Sequence, residues 1–365
     1  MKFAFFGSSL VSSYWNGAAT YYRGIIRHLH ARGHEITFYE PDAFGRQAHR
    51  DMADPAWARV VVYDPHPSAI DLALDEAAGA DVIVKTSGVG VYDRTLEHGV
   101  LSLKRPNNTV LFWDVDAPAT LDEMREDPKH GLAPLVPRFD MVMTYGGGSP
   151  VVNAYLAMGA RACTPVYNAL DPQSHHAVPA DPRFAADLSF LGNRLPDREA
   201  RVEQFFFDAA RRRPAARFLL GGSGWDANGL PPNVRHVGHV SSNDHNAFNA
   251  SARAVLNINR SSMARYGYSP ATRIFEAAGA KACVITDPWE GIEQFLAPGK
   301  EVLEVEDGAD LAELMDTLDP ARAKAIGEAG YRRVLAEHTY AHRAVQIEAV
   351  LEGCEATTRP AAASA

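Results

Sequence analysis

The residues with the clearest chemical purpose lie between Ser269 and Glu276. Ser269-Pro270-Ala271-Thr272-Arg273-Ile274-Phe275-Glu276-Ala277-Ala278-Gly279 reads as a helix entered through a capping serine, with proline at its first position. The outward amides of such a helix start hold an anion, and Arg273 adds a full positive charge beside them. Thr272 and Arg273 precede Glu276 by one turn, so the three share a face. A phosphate-binding helix end with a carboxylate one turn deeper suits a nucleoside diphosphate: the phosphates take the helix end and the carboxylate accepts from ribose hydroxyls. Two upstream strand ends extend this site. Gly192-Asn193-Arg194, then Asp197-Arg198, closes one strand, and Asn257-Ile258-Asn259-Arg260 closes another. Ligands of open parallel sheets bind outside the carboxyl ends of strands, and the planar fork of arginine matches phosphate oxygens. The expected phosphate and ribose contacts are therefore Gly192, Asn193, Arg194, Asn259, Arg260, Ser269, Thr272, Arg273 and Glu276. Arg198 is a second choice, and Asp197 reads as a helix cap.

A second group of candidates falls in the first half. Asp114 and Asp116 follow an apolar strand. Thr120-Leu121-Asp122-Glu123 reads as the capping box of the next helix, which leaves both aspartates free to act as a general base toward a hydroxyl. Two carboxylates alone make a poor metal site, and the histidines are scattered, with His175-His176 expected to face solvent. No metal is expected. Gly7-Ser8-Ser9-Leu10-Val11-Ser12 lacks the second and third glycines of a dinucleotide fingerprint, which argues against a dehydrogenase.

These stretches together resemble the GT-B glycosyltransferases, and most closely their CgeB (spore-maturation-protein) branch. The resemblance rests on Ser-Pro-x-x-Arg-x-Phe-Glu-Ala-Ala, Asp287-Pro288-Trp289-Glu290-Gly291 and Pro298-Gly299-Lys300-Glu301. Phe6-Gly7-Ser8-Ser9, Phe112-Trp113-Asp114-Val115-Asp116-Ala117-Pro118 and His338-Thr339-Tyr340 with Arg343 extend it along nearly the whole chain. It implies two Rossmann-like domains with parallel sheets facing a cleft, the second holding a nucleotide-sugar donor of UDP, TDP or GDP type as substrate, with no cofactor. It also implies that His239 and Val240 meet the nucleobase through backbone groups, and that the final helix crosses back onto the first domain. Gly7, Ser8, Ser9 and Asn16 are expected to touch the transferred sugar or the acceptor. One departure matters: many retaining members carry a second glutamate eight residues before the ribose glutamate, and here that position is Tyr268. Retention therefore does not carry over, an inverting reaction is open, and Asp116 is the favoured base. A sugar-nucleotide epimerase or hydrolase, and a non-catalytic binding or assembly protein, are the alternatives. The acceptor and the oligomeric state are not legible.

The elements that must position these residues alternate. Strands are expected at 2–6, 35–39, 81–86, 109–113 and 140–144, with a helix over 18–31 whose apolar residues recur at helical spacing. Ser149-Pro150 reads as a further helix start. Residues 169–184, rich in proline and polar side chains, read as an interdomain linker. The alternation then restarts near 187, with a helix over 198–211 and strands at 217–220, 234–237 and 254–258, ahead of the 269–287 helix and strand. Such alternation predicts a doubly wound α/β architecture: an acceptor domain over 1–168, a donor domain over 185–338, a helix over 339–353 and a disordered tail over 354–365. The 365 residues exceed what one core normally holds, and the net charge of −9 argues against nucleic-acid partners. The three cysteines, Cys163, Cys283 and Cys354, offer neither a disulfide framework nor a zinc pattern. No secretory signal or spanning segment is read, so a cytoplasmic protein is expected.

Overall fold

The computed structural model describes residues 1–358 apart from Trp15, Val89 and Pro128. It divides into two compact units, Met1–Tyr167 together with the segment from Tyr340, and Asn168–Thr339. The last helix spans Tyr340–Thr358; the rest of the expected tail, 359–365, lies outside the described residues.

The first unit is built on β1 (Lys2–Phe6), β2 (Glu35–Pro41), β3 (Arg59–Tyr63), β4 (Val82–Thr86), β5 (Thr109–Asp114), β6 (Met141–Thr144) and β7 (Cys163–Pro165), all parallel. Their order is β3-β2-β1-β4-β5-β6-β7, so the winding reverses between β1 and β4. Strands buried on both faces read as continuous apolar runs, which is why β1, β4 and β5 are legible. β3 and β7 are edge strands with half-exposed patterns, and they carry no such signal. Aromatic rings fill one face: Phe5 packs against Phe38, Tyr22 and Trp113, each buried ring contributing about 1.5–3 kcal/mol. Trp113 Nε1 donates to Tyr21 Oη at 3.0 Å, and Tyr21 Oη donates to the Val166 carbonyl at 2.6 Å, so the buried polar tips are satisfied. The helix from Tyr340 lies on helix Ala19–Ala31 at Gly24, where an added Cβ would stand 2.2 Å from the Tyr340 ring. Only glycine permits that approach.

The second unit repeats the plan with β8 (Ala186–Leu191), β9 (Phe218–Gly221), β10 (Val234–His236), β11 (Ala252–Asn257), β12 (Val284–Thr286) and β13 (Leu303–Glu304). Their order is β10-β9-β8-β11-β12-β13, again parallel, and the reversal falls between β8 and β11. The expected single helix over 198–211 is three pieces: Pro196–Val202, a π-helical stretch Glu203–Phe207, and Asp208–Arg212. The wider turn carries the consecutive Phe205, Phe206 and Phe207, all of which are buried in this unit's core. Both expected Ser-Pro caps are displaced. Helix Gly148–Ala157 starts before Ser149, from Gly147 at φ 89°. Helix Thr272–Gly279 starts after Ser269 and Pro270, from an extended Ala271 at ψ 146°. Thr120 is also not a cap; helix Ala117–Glu126 begins at Asp116.

Candidate active site

The winding reversal of the second unit brings Gly192, Arg273 and Asn259 of the expected phosphate contacts together. Just past β8, the Gly192 amide donates to the Gly221 carbonyl at 2.9 Å, and its carbonyl accepts from Trp225 Nε1 at 2.8 Å. A Cβ at Gly192 would lie 3.0 Å from Arg198 Nη1 and 3.1 Å from Arg273 Nη2. Two guanidinium groups thus converge on the space that glycine leaves empty. Arg273 is aimed there by its other contacts. Its Nε donates to the Leu191 carbonyl at 2.7 Å, its Nη1 donates to Asn257 Oδ1 at 2.8 Å, and its plane lies over the Phe190 ring. Like charges held this close repel, so an anion that bridges them lowers the free energy of the site.

The end of β11 supplies the neighbouring wall. Asn259 is buried; its amide donates to Asp287 Oδ1 at 3.0 Å and its Oδ1 accepts from Asn257 Nδ2 at 3.2 Å. Its Nδ2 has no hydrogen-bond partner among the described residues, which leaves a donor for a ligand. Arg260 follows, half-buried, at the start of helix Ser261–Tyr266. Asp287 is fully buried after β12 and accepts from Arg201 Nη2 at 2.7 Å. Burial pushes its carboxyl above the usual range against the pull of the Asn259 amide and Arg201. The Arg201–Asp287 pair crosses from helix Pro196–Val202 to the end of β12, and it is not legible in sequence because its members lie far apart in the chain.

Several expected contacts take other roles. Arg194 is exposed and pairs with the exposed Glu199 at 2.7 Å; Arg198, the second choice, is the arginine that meets Arg273. The side chain of Asp197 lies outside the described residues. Ser269 is buried, and its hydroxyl donates to the Gly267 carbonyl at 2.9 Å rather than capping a helix. Ala271 is itself extended, so the helix starts at Thr272 and Ala271, not Ser269, holds the cap position. Thr272 does open the helix and is half-buried. Val240 is packed in a small core with Phe184, Leu219 and Phe248; His239 is exposed. Asn193 Oδ1 accepts from the Ser223 amide and braces the loop.

Tyr268, the residue in place of the upstream glutamate, is held in the left-handed region at φ 46°. Its hydroxyl donates to Glu290 Oε1 at 3.1 Å and its amide donates to the Glu290 carbonyl at 2.6 Å. A carboxylate therefore does stand beside this position, supplied by the loop after β12.

Glu276 is 17% exposed, and its Oε1 lies 3.7 Å from Nε2 of His175, which is 12% exposed. His175 is thus not the solvent-facing residue expected from its linker composition. His245 stands close by, and burial pulls its imidazole below the ordinary range against the Glu276 charge.

In the first unit the loop after β1 is organised for support. Gly7 is required, because a Cβ would stand 2.6 Å from Phe38 Cζ and 2.8 Å from Thr86 Oγ1. Ser9 is buried and donates to Glu40 Oε1 at 3.0 Å; Asn16 is buried and donates to the carbonyls of Ser9 and Ser12. Both brace the loop. Gly7 and Ser8 line a shallow recess, open to solvent, with Lys85, Ser87, Gly88 and Asp93. Lys85, a lysine inside an apolar strand, donates to Asp93 Oδ1 at 2.8 Å. Asp114 is fully buried and accepts from Ser87 Oγ at 2.7 Å, Thr120 Oγ1 at 3.1 Å, Tyr155 Oη at 2.5 Å and the Asp116 amide at 3.0 Å. Desolvation pushes its carboxyl upward against these bonds. With every direction occupied, it braces the β4 and β5 ends instead of standing open to a substrate proton. Asp116 is half-buried, and its carboxylate does not cap its own helix.

Solved structures align over nearly the whole chain. Anabaena Alr3699/HepE, solved with UDP and glucose, aligns with a TM-score of 0.70 at 14% identity, covering 97% of this chain and 100% of that one. Sucrose-phosphate synthase from Thermosynechococcus elongatus aligns with a TM-score of 0.71 at 16% identity, over 98% and 100%. T4 phage BGT, solved with its UDP-glucose substrate, aligns with a TM-score of 0.62 at 11% identity, over 97% and 99%. The chain has the GT-B fold. The sequence profile of a family described as glycosyl transferase-like matches residues 198–349, a segment that holds Arg198, Arg260, Arg273 and Glu276. No curated protein sequence matches the chain. No helix among the described residues is long and apolar enough to cross a membrane.

Proposed function

We propose that this protein is a glycosyltransferase that moves a sugar from a nucleotide-diphosphate donor to an acceptor hydroxyl. The observation that carries the reading is the convergence of Arg198 and Arg273 on Gly192, at the strand-order reversal of the second unit and one helical turn from Glu276. The arginines take the diphosphate and stabilise charge on it as it leaves the anomeric carbon. Asn259 Nδ2 and Arg260 add donors to the same oxygens, and Glu276 accepts from ribose hydroxyls. The first unit takes the acceptor near Gly7 and Ser8, and Asp116 removes the proton of the attacking hydroxyl in an inverting displacement. The ligands of the structural relatives, UDP with glucose and UDP-glucose, favour a uridine donor. The motif order along the chain favours the CgeB-like branch.

Calorimetric titration with UDP, GDP, ADP and TDP tests the site directly. Binding of one nucleotide, with UDP the tightest, is the expected result. Nucleotide diphosphate release from the matching sugar donor should then depend on added acceptor. Release at the same rate without acceptor favours a hydrolase, and no binding of any of the four removes the reading.

A further inference from the structure

We infer that His175, His245 and Glu276 form a binding site for a zinc-class divalent transition-metal ion, and that this ion and the nucleotide donor compete for Glu276. The competition rests on the donor reading above; the ion site does not. One ligand atom from each of the three residues lies within 4.8 Å of the other two, and all three side chains are partly buried. A tetrahedral zinc ion with bonds of about 2.0–2.2 Å holds its ligands roughly 3.3–3.6 Å apart. The His175 Nε2 to Glu276 Oε1 separation of 3.7 Å is already close to that. Two imidazoles and one carboxylate, with a fourth position left for water, match zinc-class ions; calcium and magnesium prefer oxygen-only sets. No metal is expected from the sequence, where His175 reads as solvent-facing; these ligands come from a loop and two separate helices.

The surroundings hold those three segments together. Asn246, next to His245 on helix His245–Ser251, donates to the Ser174 carbonyl at 2.9 Å and accepts from the His176 amide at 3.2 Å. Its one amide thus ties the His175 loop to the His245 helix on both sides of His175. The loop also lies directly on helix Thr272–Gly279, where a Cβ at Gly279 would stand 2.9 Å from the His175 carbonyl oxygen. His245 Nε2 lies 3.3 Å from the Val240 carbonyl oxygen. A carbonyl can only accept, so Nε2 carries the proton and Nδ1 keeps the lone pair a metal needs. Once a dication draws on the Glu276 carboxylate, that group is a weaker acceptor for ribose hydroxyls, and this sets ion against donor.

Titration of the metal-stripped protein with zinc chloride is the test. One equivalent should bind, at least about tenfold more weakly in His175→Ala and His245→Ala, and unchanged in His176→Ala, which alters only the exposed neighbour. Loading the unaltered protein with Co²⁺ should produce the intense visible bands of a four-coordinate, imidazole-bound ion, a readout that survives if a variant fails to fold. No binding, no such bands, or equal binding by His175→Ala overturns the site. With zinc held at one equivalent, the apparent Kd for UDP should rise about tenfold over the metal-free protein; an unchanged Kd overturns the competition. Failure of UDP to bind the metal-free protein sinks the donor reading and the competition with it, while the zinc titration still decides the ion site.

Discussion

The two units share one strand order over six strands, and each places a glycine directly after the first strand of its reversal point, Gly7 in one and Gly192 in the other. What fills the missing Cβ differs. At Gly7 the space belongs to Phe38 and the Thr86 hydroxyl, neutral groups of the fold itself. At Gly192 it is shared by the Phe190 ring and the guanidinium groups of Arg198 and Arg273. The polar groups around the first reversal are mostly consumed: Glu40 by Ser9, Leu10 and Gln47, and Asp114 by three hydroxyls and an amide. Around the second, two guanidinium groups, of Arg198 and Arg273, approach one glycine. Backbone topology creates a crevice in both units, and side-chain charge decides which crevice calls for an anion from outside.

Removing the hub of the first unit should have the largest effect and test that division most severely. Asp114→Ala strands several buried donors, each costing about 1–3 kcal/mol, so urea unfolding should show a loss of roughly 3 kcal/mol or more. UDP affinity at temperatures where the variant stays folded should not change. A large loss of UDP affinity with intact stability would erase the contrast between a braced unit and a binding unit. Next in size is Arg273→Lys, which keeps the charge and loses the fork over Phe190 and Gly192. With charge-assisted bonds worth about 1.5–3 kcal/mol, calorimetry should record UDP binding weakened roughly 10- to 100-fold. Equal affinity would mean that charge alone, without shape, defines the second crevice. Glu276→Ala should weaken UDP about tenfold or more if the lost ribose bonds are worth 1.5 kcal/mol or more. Comparing UDP with inorganic pyrophosphate sharpens the assignment, because pyrophosphate has no ribose and its binding should be insensitive to Glu276. The smallest effect is expected from Arg194→Ala. Its exposed pair with Glu199 is worth about 0–1 kcal/mol to the fold, and UDP affinity should move less than about twofold. A larger drop would return Arg194 to the phosphate site in place of Arg198.

Much of the architecture is legible in the order of residues along the chain. Alternating apolar strands and amphipathic helices show through local composition, and the restart of that pattern after residue 184 marks a second unit. Strands too short or too exposed to carry a run of apolar residues, such as β7 and β13, leave no such mark. The spacing of Thr272, Arg273 and Glu276 is a helical property, and it places these side chains on one face whatever they pack against. Glycine at 192 is equally plain to the eye, but not its purpose.

Which arginine stands over that glycine follows from where helix Pro196–Val202 lies on the sheet, and a stretch containing Arg194, Arg198 and Arg201 offers no local rule for the choice. Asp114 reads as an available base until β4, β5 and helix Gly148–Ala157 bring Ser87 and Tyr155 onto it. His175 reads as part of a linker until Asn246 and Gly279 seat it beside Glu276. Hydrophobic periodicity and capping act over a few residues, so the chain displays them openly. Burial, shared hydrogen bonds and the meeting of like charges depend on groups dozens of residues apart, and they exist only once the crossovers of the parallel sheets have closed.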